Sequence, residues 1–101
     1  MDDRLITKLK QGTDESIVYS ITTTSWGSSP TNVIVKGYDV STGGRDDVST
    51  NILSGSASVS GDVITLPVIQ SLLANKTYRI EIKFTSGGNT FEPYLLIQSE
   101  W

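Results

Sequence analysis

One segment, residues 76–98, constrains the fold of this 101-residue chain more than any other. Apolar and charged residues alternate along its first half, the pattern of a strand with one buried and one solvated face. The apolar set is Tyr78, Ile80, Ile82 and Phe84. The next four residues, 86–89, are Ser-Gly-Gly-Asn, and such residues accept the positive φ of a tight turn. The segment therefore predicts a β-hairpin.

A single register of this hairpin satisfies both faces of the ribbon. On the buried face it pairs Phe84 with Phe91, Ile80 with Leu95 and Tyr78 with Ile97. On the outer face it sets Lys83 opposite Glu92, and such oppositely charged cross-strand pairs are favourable.

The rest of the chain predicts short strands separated by turn residues. The predicted strands are 5–10, 17–24, 32–40, 48–53, 54–61 and 62–69, the segment 54–61 being an edge strand or meander. Gly37 predicts a bulge in the third of them, and Pro67 restricts the last to an edge or a bend. Val33 and Val35 are expected core residues. Strands at this spacing, without a long helix, indicate a β-sandwich.

Leu72 and Tyr78 are spaced like the leucine and tyrosine of a known corner motif. In fibronectin type III and other immunoglobulin-like domains, that tyrosine begins the sixth strand and its hydroxyl bonds back to the corner backbone. Asn75 stands where the family often has glycine, and asparagine tolerates the left-handed conformation. The alternative is that Tyr78 is only a core residue of its strand.

The resemblance implies an all-β, immunoglobulin-like (fibronectin type III-like) antiparallel β-sandwich of about seven strands. A single domain spanning residues 1–101 is expected, since this length builds one modest core.

Composition argues against most catalytic chemistry. The chain has no histidine and no cysteine, so the usual nucleophilic triads and zinc sites cannot be built. Asp39, Asp46 and Asp47 could supply oxygen ligands to calcium, but they lack the spacing of a dedicated calcium loop and are read as solvated turn residues. An enzyme using acidic residues would need a concave pocket holding two carboxylates. We therefore predict no enzymatic activity, no cofactor and no metal.

Charge and hydropathy exclude two further classes of partner. The net charge is −3 and the eight basic residues are scattered, so a nucleic-acid partner is not expected. No apolar run approaches the roughly 18 residues of a membrane span. The N-terminus also lacks the apolar region of a signal peptide.

Four residues are candidates for contact with a protein partner: Tyr94, Leu96, Trp101 and Trp26. Tyr94 and Leu96 fall on the outward face of the second hairpin strand, where they predict an exposed apolar stripe. The alternatives are a bulge at Pro93 or coverage by the N-terminal segment. Trp26 lies in a loop, where it either binds a partner or sugar or folds back as a plug over the end of the sandwich.

The whole chain resembles a group of small proteins from tailed bacteriophages and prophages. The resemblance is carried by the segments L-I-T-K-L-K, S-W-G-S-S-P-T-N-V, Y-D-V-S-T-G, V-S-G-D-V-I-T-L-P, N-K-T-Y-R-I-E-I-K-F and G-G-N-T-F-E-P-Y-L-L-I. It implies an immunoglobulin-like accessory protein of the capsid, neck or tail, made in the host cytoplasm and located in the virion. Its partners would be other virion proteins or a second copy. The alternative function is a carbohydrate-binding module with Trp26 and Tyr38 as stacking platforms.

Overall fold

The computed structural model describes residues 5–100, which form a β-sandwich. In chain order its elements are β1 (Leu5–Gly12), β2 (Ser20–Thr22), β3 (Thr31–Asp39), β4 (Asp46–Asp47), α1 (Ser49–Ile52), β5 (Leu53–Ser54), β6 (Ser58–Ser60), β7 (Val63–Thr65), β8 (Val68–Ile69), β9 (Thr77–Ser86), β10 (Asn89–Phe91) and β11 (Tyr94–Glu100). The larger sheet runs β1-β11-β9-β3-β4, with β10 also on β9. Opposite it lie β2-β7-β6 and the pair β5-β8, joined by a bridge between Ile17 and Ile69.

The hairpin register predicted from the sequence is confirmed. Phe91 pairs with Phe84 in the β10–β9 ladder, and the β11–β9 ladder pairs Leu95 with Ile80 and Ile97 with Tyr78. The ladder is interrupted at residues 92 and 93, where the Ile82 N–H donates to the Pro93 carbonyl at 2.9 Å. The opposition of Lys83 and Glu92 falls at this interruption and stays a prediction.

Two expectations about the strands are corrected. The sandwich is not purely antiparallel, because β1 pairs in parallel with β11, Leu9 lying beside Ile97. The expected strand 48–53 is instead a helical turn, α1, followed by the two-residue β5. The structure divides residues 5–100 into eleven strands rather than about seven, since breaks such as the one at Leu66 and Pro67 split continuous paths into short pieces.

The predicted bulge at Gly37 is also wrong. Gly37 pairs regularly with Ile80, and the irregularity in β3 lies between Thr31 and Ile34, where Asn32 has a φ of 54°. Gly37 is needed for a different reason. A Cβ there would lie 2.7 Å from the Cδ1 atom of Ile52, so glycine lets α1 pack directly against β3.

The core lies between the two layers and is formed by the inward positions of both. Its buried members are Ile21, Ile52, Ile64, Leu66, Ile69, Leu72, Tyr78, Ile80, Ile82, Phe84, Leu95 and Ile97. Val33 and Val35, expected core residues, pack against this cluster while partly exposed. Because inward positions are fixed by strand alternation, the intervening residues of β9, β11 and β3 are displayed on the outer face.

The tyrosine corner is confirmed. The Tyr78 hydroxyl accepts a hydrogen bond from the backbone N–H of Leu73 at 2.9 Å, and Leu72 is 3% exposed in the core. Asn75 has a φ of 61°, the left-handed conformation expected of it. Ser99 holds the same corner from β11, since its hydroxyl donates to the Leu73 carbonyl and accepts from the Lys76 N–H at 3.0 Å.

Replacing Gly37 by alanine should destabilise the fold by about 1–3 kcal/mol, because the added methyl group overlaps Ile52 in a filled core. Gly44→Ala is the matched control, as a Cβ there meets nothing within 4 Å. Its effect should stay within about 0.5 kcal/mol. Urea unfolding of both variants measures the difference, and equal free energies of unfolding would contradict the close contact between α1 and β3.

Tyr78→Phe should lower the free energy of unfolding by about 1 kcal/mol, because it deletes the acceptor of the Leu73 N–H while keeping the ring. Tyr38→Phe serves as the control, since within residues 5–100 the structure gives the Tyr38 hydroxyl no hydrogen bond. Thermal unfolding compares the two variants. A loss no larger for Tyr78→Phe than for Tyr38→Phe would show that the hydroxyl does not stabilise the corner.

Candidate interaction surface

A groove of about 400 Å³ opens on the outer face of the larger sheet, where β1, β11 and β9 lie side by side. It is lined by Lys8, Leu9, Lys10, Thr77, Leu96 and Gln98 and is called the Leu96 groove here. Strand register explains the set. Lys8 lies beside Leu96 and Lys10 beside Gln98 across the parallel pair, and Gln98 lies opposite Thr77 across the antiparallel one.

The Leu96 groove combines an apolar floor with a cationic rim. Leu96 is half-buried between neighbouring strands, whereas Lys8 and Lys10 are exposed. The Nζ atom of Lys10 lies 3.5 Å from a carboxylate oxygen of Glu100, but both side chains are more than half exposed. Such a solvent-exposed ion pair is weak, so Lys10 can exchange Glu100 for another carboxylate at little cost.

Beside the groove, the outer face is held by a charged network centred on Glu81. Its Oε2 atom accepts hydrogen bonds from Arg79 Nε at 2.8 Å and from Arg45 Nη1 at 3.0 Å. Glu81 is only 6% exposed, although it sits on an outward position. The guanidinium groups continue over two aromatic rings, Arg79 lying 3.7 Å from the centre of Tyr94 and Arg45 4.7 Å from that of Tyr38.

The expected exposed stripe is wrong for Tyr94 and holds only in part for Leu96. Tyr94 keeps its outward position opposite Glu81, yet it is 7% exposed because Arg79 covers its ring. The break at Pro93 does not turn Tyr94 inward, since Tyr94 still lies opposite Glu81. β1 lies beside β11. The alternative of coverage by the N-terminal segment includes residues 1–4, which lie outside the described residues, and it stays a prediction. The role of these residues in partner contact stays a prediction.

Trp26 folds back over the end of the sandwich, as the plug interpretation expects. Its ring packs edge-on against Phe84 with centroids 6.4 Å apart, and it contacts the core cluster. Phe84 and Thr77 are seven residues apart on β9, which separates Trp26 from the Leu96 groove by roughly 20 Å. The structure therefore does not bring these two candidates together. The third candidate, Trp101, lies outside the described residues.

Trp26 and Tyr38 do not form a joint stacking platform. Trp26 precedes β3, whereas Tyr38 is near its far end, and Arg45 already lies over the Tyr38 ring. Within residues 5–100, no helix is long and apolar enough to cross a membrane.

The acidic loop around β4 is engaged in local hydrogen bonds. Among residues 5–100, no cluster of three or more carboxylates is arranged to hold a metal. Asp39 accepts a hydrogen bond from the Ser41 N–H at 3.0 Å and lies 3.3 Å from Lys76. Asp47 accepts the Ser49 hydroxyl at 2.6 Å. These hydrogen bonds, from Ser41 and Ser49 respectively, lower the pKa of each carboxyl below its ordinary value.

The sequence does not reveal the Glu81 network. An outward Arg79 and Glu81 on one strand are ordinary solvated residues by pattern. One feature of the sequence does point to the contact between Arg79 and Tyr94. The predicted register places Arg79 opposite Leu96, and Tyr94 is two positions away on that strand, a diagonal distance that a long side chain can span. Nothing local predicts that Arg45, from a glycine-rich loop, completes the network.

Comparison with solved structures identifies the fold. The crystal structure of the titin M3 domain matches with a TM-score of 0.52 and 19% identity, over 100% of this chain and 96% of that chain. Chimeric titin Z1Z2 functionalized with a KLER exogenous peptide from decorin matches with a TM-score of 0.38 and 20% identity, over 93% of this chain and 89% of that chain. A TM-score this low does not bear on the fold. The sequence matches no protein-family model and no curated protein. Sandwich topology, tyrosine corner and the M3 match together show an immunoglobulin-like fold.

The lowered pKa of Asp39 gives a pH prediction. Because the folded-state pKa lies below the unfolded value, this carboxylate contributes stability that is complete above the unfolded pKa and lost as pH falls through the folded one. Wild type should therefore lose more unfolding free energy than Asp39→Asn on going from about pH 5 to about pH 2. Denaturant unfolding across this range tests it, and parallel pH profiles would contradict it.

Proposed function

We propose that this chain is a non-enzymatic protein-interaction module that binds its partner at the Leu96 groove. We further propose that it serves as an accessory structural protein of a tailed bacteriophage or prophage particle. The observation that carries the first proposal is the Leu96 groove itself, an apolar floor with a cationic rim beside the network of Arg79 and Glu81. The second rests on the sequence resemblance.

The chemistry of the groove specifies the partner. Protein interfaces typically combine a central apolar anchor with a polar rim. Leu96 would receive an apolar side chain, and Lys8 and Lys10 would pair with carboxylates beside it. The expected partner is a protein surface carrying an aliphatic or aromatic residue flanked by Asp or Glu. Because both lysines are solvent-exposed, their contribution should weaken as salt rises.

A binding role also agrees with the residue types available. The sequence lacks histidine and cysteine. In the acidic loop, Asp39 accepts from Ser41 and pairs with Lys76, and Asp47 accepts from Ser49 and pairs with Lys36. A glycan platform at Trp26 and Tyr38 is disfavoured, because the Trp26 ring packs against Phe84 and Arg45 lies over the Tyr38 ring.

Leu96→Asp should weaken partner binding by about 2 kcal/mol or more, because it places a carboxylate on the apolar floor. Ile34→Asp is the matched control: Ile34 is 48% exposed on the same outer face, opposite Lys83 and away from the groove. Lys8→Glu should weaken binding as well, and more strongly at low salt than at high salt. Thermal unfolding checks that each variant is folded.

The partner is sought among the products of neighbouring genes. If these encode capsid, portal, neck or tail proteins, each is co-expressed with the chain, and complexes are measured by size-exclusion chromatography with light scattering. Equal binding by wild type and Leu96→Asp would refute the groove as the interface. Neighbouring genes without any virion component would refute the phage assignment while leaving the groove open to test.

A further inference from the structure

The β2 strand has an open edge within the described residues. It pairs only with β7, and its alternate residues provide that pairing. Ile17 exchanges hydrogen bonds with Ile69, the Tyr19 carbonyl accepts from Leu66, and the Thr23 N–H donates to Asp62. Strand alternation then directs the N–H and C=O groups of Val18, Ser20 and Thr22 away from β7.

This edge lacks the protection that the other sheet edges carry. β1 has Lys8 and Lys10, and β4 consists of two aspartates. The β6 edge has only its three strand residues, whereas hydrogen bonds over residues 17–23 extend the equally short β2 into a longer edge. Residues 16–24, by contrast, contain no charge, no proline and no glycine. Folded proteins normally protect an open edge by one of those devices, and an edge without them accepts another strand.

An apolar groove runs along the same edge. It measures about 290 Å³ and lies between β2 and β1, the two strands that border the open side of the sandwich. Its apolar lining includes Ile6, Leu9, Ile21 and Leu95, with Thr7 and Thr22 at the rim. Near Tyr19 the two walls are tied together, because the Tyr19 hydroxyl donates to Gln11 Oε1 at 2.9 Å.

From these features we infer that the β1–β2 groove is a second binding site, which takes an extended segment of a partner protein by strand addition to β2. The segment adds backbone hydrogen bonds to Val18, Ser20 and Thr22. Its alternate side chains enter the groove. The lining of the groove has no charged residue that could pair with a charged side chain of the segment. The occupant is therefore an uncharged peptide with apolar residues at every second position, the pattern that strand addition reads.

An extended segment fits this site better than the edge of a second folded copy. The groove has a wall on each side, and both walls belong to the same domain. A single extended strand can lie between β1 and β2. A second folded copy that paired through its own β2 would bring its β1 against the β1 of the first copy. The site has Leu9 in common with the Leu96 groove, but the Leu96 groove opens on the outer face of the larger sheet.

A synthetic peptide tests the inference on the full chain. The probe is an acetylated ten-residue peptide in which valine and threonine alternate over eight residues before two C-terminal lysines. The control peptide has the same composition with the four valines grouped. Binding is followed by amide chemical shifts and hydrogen exchange. The alternating peptide should bind and slow exchange at Val18, Ser20 and Thr22, because strand addition protects those N–H groups.

Ser20→Pro should weaken that binding about tenfold, because proline removes an N–H from the open edge and places a ring there. Val59→Pro makes the same change on the exposed β6 edge of the same sheet and should leave binding unchanged. Should Ser20→Pro unfold, Thr7→Glu provides a second test by adding a carboxylate at the groove rim.

Three outcomes would overturn the inference. The first is equal binding of the alternating and grouped peptides. The second is binding without slowed exchange at the three amides. The third is a wild-type dimer that Ser20→Pro dissociates and the peptide does not, which would assign the groove to a second copy.

Discussion

The structure depends on the burial of one row of side chains along β9. Its inward residues, Tyr78, Ile80, Ile82 and Phe84, are at most 2% exposed. They contact strands on both sides, since β9 lies between β11 and β3 in the sheet. A one-residue slip would turn this entire row to solvent, so its burial fixes the register of the sheet. The outward residues are then determined as well, including those that line the Leu96 groove.

The outer face is shaped by an ion cluster that is largely removed from water. Burying Glu81 is unfavourable unless its charge is compensated, and Arg79 and Arg45 both hydrogen-bond the same carboxylate oxygen. Their guanidinium groups are thereby held over Tyr94 and Tyr38. Tyr94 is covered as a result, while Tyr38 stays partly exposed with Arg45 over its ring. Leu96 is left as the apolar residue of that region with open space above it.

Much of the fold could be predicted from sequence because its signals are local. The alternation along residues 76–98, the turn glycines and the spacing of Leu72 and Tyr78 each act over fewer than a dozen residues or across one hairpin. The failures involve partners distant in sequence. The sequence of the strand predicts a bulge at Gly37 because it cannot show that Ile52 packs against this glycine. The parallel docking of β1 and the hydrogen bond from Arg45 to Glu81 likewise depend on neighbours that no local pattern identifies.

Charge is distributed unequally over the two layers, and this separates the two kinds of surface. Strands β2, β6 and β7 carry no charged residue, whereas the larger sheet carries lysine, arginine, aspartate and glutamate on its outward positions. β1 lies where the layers meet, and its parallel pairing with β11 sets Lys8 and Lys10 toward the outer face while Leu9 packs against the core. One strand therefore borders a cationic groove on one side and a neutral groove on the other. A partner surface with carboxylates would then bind on one side of β1, and an uncharged extended segment would bind on the other side.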